Sequence, residues 1–150
     1  PNGQIVNFET FMDLLRRDDS ELRVMKIGRT TGLTDEGYLK LLPVFLRNSL
    51  GNGYELKWSR VPNCYYIRKF AGSFSEEGDS GSLVFDQDGR AWGLVFGIHM
   101  DLETGSTWSI VSPLFAIVDA LKERSGKTSL RLWCTPNNEE HDDEGPGHEM

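Results

Sequence analysis

The sequence predicts an all-β domain with one helix at each end. Three observations carry this expectation: seven short alternating or apolar runs parted by Gly, Asn and Asp, an apolar stripe at helical spacing before them, and a second stripe after them. Taken alone, the runs suit a barrel and a sandwich equally.

Phe8, Phe11, Met12 and Leu15 follow the i, i+3, i+4, i+7 spacing of a helix face, behind Asn7 as cap and ahead of Arg16 and Arg17. Strands are predicted over residues 23–27, 37–42, 54–61, 65–70, 82–85, 91–98 and 107–111. Asn52-Gly53 is a turn signal, and residues 86–89 read as a hairpin between two apolar strands. A second helix then follows, with Ser112 as cap, Pro113 in first position, an apolar stripe of Leu114, Ile117, Val118 and Leu121, and Gly126 as stop. Both stripes are read as core-facing helix surface.

The 150 residues suffice for one domain, and no run approaches the length of a membrane-spanning helix. The organisation expected is a helix or linker over 1–21, a barrel with its closing helix over 22–136, and an acidic tail over 137–150. A formal charge of -7 argues against nucleic acid as a partner, because a phosphate backbone demands clustered cations. Six of the 23 acids lie in the last fourteen residues, which hold no Lys or Arg, so the rest of the chain is almost neutral. That tail, with Gly-Pro-Gly and no aromatic or β-branched residue, is expected to be disordered. His141 and His148 read as part of its solvated surface, and no metal site or cofactor is expected. Cys64 and Cys134 have no zinc-type spacing and are compatible with one disulfide or with two free thiols. The chain opens on Pro1 and reads as cut from something longer.

Glu77-Gly78-Asp79-Ser80-Gly81-Ser82 lies between two predicted strands. A serine in such a sharp Gly-flanked turn exposes its hydroxyl and leaves nearby backbone N–H groups uncovered. Nucleophilic acyl transfer uses both, the hydroxyl to attack a carbonyl and the donors to receive the oxyanion. The same four residues 78–81 are also common choices for an ordinary tight turn.

Gly78-Asp79-Ser80-Gly81 resembles the nucleophile loop of the trypsin-like, chymotrypsin-fold serine proteases. The likeness extends to residues 24–32 (Val-Met-Lys-Ile-Gly-Arg-Thr-Thr-Gly), similar to the strand that opens the family's second barrel, and to the hairpin from Leu83-Val84-Phe85 to Gly93-Leu94-Val95-Phe96-Gly97. It spans about residues 22 to 125, including the last strand and closing helix. The fold it implies is a six- to seven-stranded antiparallel Greek-key barrel.

The resemblance also implies roles. Ser80 would be the acylated nucleophile, the N–H groups of Gly78 and Ser80 the oxyanion hole, and a polypeptide the substrate. Phe74 would stand at the base of the specificity pocket, its apolar ring arguing against a strict preference for Arg or Lys, with Glu76 and Glu77 close by. Phe96, Gly97 and Ile98 would form the edge to which the substrate main chain adds as a strand. The opening helix lies outside the family plan, and would cross between barrels or form an interface. Ser82 and Leu83 in place of the usual Gly-Pro, with no cysteine before the loop, resemble intracellular fungal and plant members more than secreted ones.

The family takes its triad His and Asp from a first barrel, which this chain does not contain. His99, just past the pocket-edge strand, reads as an ordinary strand residue and not as the base. Activity would therefore require an upstream barrel of the same polypeptide or a partner chain, and this chain alone would be nearly inactive. The competing expectation is a non-catalytic peptide-binding or regulatory module of protease-derived fold.

Overall fold

In the computed structural model, residues 3–17, 22–40, 44–49, 56–61 and 64–129 are described. The predicted tail, Cys134 and the Asn52-Gly53 turn lie outside them, as does the side chain of Leu15.

Helix α1 (Phe8–Arg16) starts where the cap signal put it: the Asn7 side chain accepts the Thr10 N–H at 2.8 Å. Its inward face delivers Phe11 into the protein core, where the ring meets Tyr65, Trp92 and Phe115. Ahead of the helix, the Val6 N–H donates to the Ala91 carbonyl and the Ala91 N–H to that of Gln4, which fastens the entering chain to the barrel. The helix thereby shares the barrel's core.

Six strands close the barrel: β1 (Arg23–Gly28), β2 (Gly32–Lys40), β5 (Tyr65–Arg68), β6 (Leu83–Asp86), β7 (Ala91–Met100) and β8 (Thr107–Pro113). Around the ring they run β1-β2-β5-β8-β7-β6, every described pairing antiparallel. Strand β6 pairs with β1 while β1, β2 and β5 lie side by side, which is the Greek-key order. Strands β3 (Val44–Ser49) and β4 (Leu56–Val61) form a separate two-stranded sheet.

Inward positions follow the two-residue period of the strands. Val24, Leu39, Tyr65, Ile67, Val84, Val95 and Val111 meet inside, with Phe74 from a loop and Trp92. Two strand expectations needed correction. Strand β2 begins five residues before the predicted start, because the β1–β2 hairpin turns tightly and pairs Gly28 with Gly32. Its polar run hid it, and so did a bulge in which Asp35 and Glu36 oppose Met25, with Glu36 at φ 61°. Strand β3 was not predicted at all; Arg47 and Asn48 break its apolar pattern, and pairing with β4 supplies the order.

The predicted 86–89 turn is held by the buried Asp86 carboxylate, which accepts from the Asp88 and Arg90 N–H groups, the Arg90 guanidinium and the Trp92 indole. Helix α2 (Leu114–Ser125) ends at Gly126, φ 67°, as expected. Its cap is Pro113, not Ser112, and no side chain bonds the first turn. The expected core stripe is also shorter than predicted: Leu114 is buried, Ile117 and Val118 are half-buried, and Leu121 is 51% exposed. Among the described residues no helix is long and apolar enough to cross a membrane.

Candidate active site

Two loops clasp each other at one end of the barrel. One is the β1–β2 turn, Arg29-Thr30-Thr31; the other is the 76–81 segment of the β5–β6 connection. Asp79 joins them. Its carboxylate lies beneath the loop surface, where Oδ1 accepts the N–H groups of Thr30 (2.8 Å) and Thr31 (3.2 Å). Oδ2 accepts the Thr31 hydroxyl at 2.7 Å, the Glu76 N–H at 3.1 Å and the Lys26 ammonium at 3.1 Å.

Lys26 arrives there because Val24 faces inward and the strand period points Lys26 the same way. Both its side chain and that of Asp79 have no exposed surface. The ammonium also donates to the Thr31 and Thr34 hydroxyls and stands 5.6 Å from the centre of the Phe74 ring. Burial by itself raises the Asp79 pKa, but the bonds from Thr31, Glu76, Thr30 and Lys26 outweigh it and hold the carboxyl well below the usual carboxylate range. A buried ion pair with its remaining lone pairs and protons engaged in this way is tolerable; either partner alone is not.

The chain can pass this closely only without side chains. A Cβ on Gly28 stands 2.3 Å from Asp79 Oδ1, and one on Gly78 stands 2.4 Å from Thr30 Oγ1, whose hydroxyl donates to the Glu77 carbonyl at 2.9 Å. Gly78 additionally adopts φ 96°, which side chains resist.

Above this clamp Ser80 is exposed. The Asp79 N–H donates to the Glu76 carbonyl and the Ser82 N–H to that of Asp79, while those of Gly78 and Ser80 have no acceptor among the described residues. The Gly81 N–H donates to the Val95 carbonyl at 2.7 Å, and the Val95 N–H to the Ser82 carbonyl at 3.0 Å, so the serine loop is stitched to β7. Immediately beyond, β7 bulges at Phe96, and its pairing with β6 stops at Leu94. Phe96, Gly97 and Ile98 thus lie along a stretch of β7 paired on the β8 side alone among the described strands, with Phe96 and Ile98 exposed.

The Phe74 ring is 1% exposed and lies inside the barrel against Gly37 and Lys26. Next to it, the buried Ser75 hydroxyl is hydrogen-bonded to that of Ser109. His99 stands opposite Trp108 in the β7–β8 register, with its ring against Tyr66, and makes no hydrogen bond to Ser80. Among the described residues no three His, Cys, Asp or Glu side chains gather in a way that could hold a metal ion. Cys64 is a free thiol, pushed up by burial and weakly bonded to the Ser112 hydroxyl.

Sequence reasoning assigned no role to Lys26, Thr30 or Thr31. The available signal was a lysine at an inward strand position two residues after Val24, which demands a buried anion. No protein-family model matches the chain, and no curated protein matches it.

Proposed function

We propose that this chain is the nucleophile-bearing barrel of a trypsin-like serine endopeptidase, with a polypeptide as substrate. One observation supports this reading above the others: Ser80 stands exposed beside two unengaged N–H groups, on a loop whose underside is locked by a buried ion pair. Such preorganisation is what an acyl-transfer oxyanion requires, since donors already in place need no rearrangement when charge develops.

In this reading Ser80 Oγ attacks the scissile carbonyl, and the N–H groups of Gly78 and Ser80 receive the oxyanion. The substrate main chain lies along Phe96–Ile98 as an added strand. The His that takes up and returns the proton, and the Asp that orients it and stabilises its charged form, come from another barrel, upstream in the same polypeptide or in a partner chain. Without them this chain is nearly inactive. The departures at Ser82 and Leu83 favour an intracellular setting, and neither nucleic acid nor membrane enters the reaction.

A fluorophosphonate probe tests it. The full-length protein is labelled, Ser80→Ala is not, and His99→Ala is labelled as well as the parent. Equal labelling of parent and Ser80→Ala, or none in a demonstrably folded two-barrel protein, overturns the enzyme reading. The second reading, a peptide-holding module, rests on the same open β7 edge: binding of extended peptides without labelling would support it.

A further inference from the structure

A cavity of about 230 Å³ opens on the outer surface of the barrel, lined by Tyr66, His99, Asp101 and Trp108. Tyr66 is on β5 and Trp108 on β8; His99 is on β7, and Asp101 begins the β7–β8 turn. The cavity lies on the opposite side of the sheet from the barrel interior: Ser109 is buried inside, so its neighbour Trp108 and the cross-strand His99 face out.

Its walls are aromatic and set at steep angles. Tyr66 and Trp108 meet edge to face, 5.9 Å between centres at 80°, and Tyr66 and His99 are 6.0 Å apart at 56°. Three aromatic rings therefore line the cavity, and the face of such a ring attracts a cation. The Arg68 guanidinium already lies 5.3 Å from the Trp108 ring centre, so that ring serves as a cation acceptor within the protein itself.

Asp101 adds a fixed negative charge. Its carboxylate accepts the Glu103 N–H at 3.0 Å and the Thr104 hydroxyl at 2.9 Å, and these bonds hold it below the ordinary carboxylate range. The turn is braced further by the Asp101 N–H on the Ser106 carbonyl and the Gly105 N–H on that of Asp101. The acid is therefore held in place before any ligand arrives.

We infer that this cavity binds an alkylammonium group of the kind a lysine side chain carries, methylated or not. Aromatic rings surround the alkyl-substituted nitrogen, and Asp101 balances its charge. The inference does not depend on the role of Ser80.

Isotope-edited NMR on the intact chain, titrated with N-acetyl-lysine amide, its ε-trimethyl form and a neutral tert-butyl isostere of that form, tests the assignment. The expected result is saturable shifts confined to the Trp108 indole and the 99–101 amides, with the neutral isostere binding about fivefold more weakly. Asp101→Asn, an exposed-turn change that spares the core, weakens both ammonium ligands, and Trp108→Ala removes the shifts. Equal binding of the isostere, unchanged affinity in Asp101→Asn, or no saturable shift with either ammonium overturns it.

Discussion

Lys26 and Asp79, 53 residues apart in the chain, meet at 3.1 Å with neither side chain exposed. The contact ties β1 to the loop that presents Ser80. Lys26→Met leaves the carboxylate buried without its counter-charge and lowers stability by about 3 kcal/mol. Asp79→Asn in the same background recovers part of the loss, a coupling that urea denaturation of the double-mutant cycle measures.

Acid weakens the same clamp. The folded-state pKa of Asp79 lies below its unfolded value, so its stabilisation is complete above about pH 4 and is lost as pH falls toward the folded pKa. Urea midpoints of the parent therefore fall more steeply below pH 4 than those of Asp79→Asn, which lacks the titrating group. Parallel curves would remove Asp79 from the acid response.

Gly28→Ala forces a methyl to within 2.3 Å of the Asp79 carboxylate and costs about 2 kcal/mol through overpacking of the clamp. Gly32→Ala, in the same hairpin, meets no atom within 4 Å and pays only for its φ of +64°, about 1 kcal/mol. Thermal unfolding of the pair separates the steric cost from the backbone cost.

On α1, Phe11→Ala opens a cavity among Tyr65, Trp92 and Phe115 and destabilises by about 3 kcal/mol. Phe8→Ala, on a half-exposed side chain that touches Phe115, costs under about 1 kcal/mol. Equal losses would mean that the helix is held by something other than its inward face.

Local signals in the sequence place the start of α1, the end of α2, most of the strands and the loop that carries Ser80, because caps, turns and apolar periods act over a few residues. Asn7, the 86–89 turn and Gly126 each act within a few residues of their own position. The sequence did not reveal β3 or the early start of β2, whose polar residues become strand only when a partner supplies their hydrogen bonds. Tertiary structure alone decided that Phe74 turns into the core and that Lys26 lies beneath Asp79. It likewise decided that Tyr66, His99, Asp101 and Trp108 share a cavity. The physical reason is common to all of these: each depends on which distant strands the closed barrel brings together, and a charge or ring reads as surface until its partner across the fold is known.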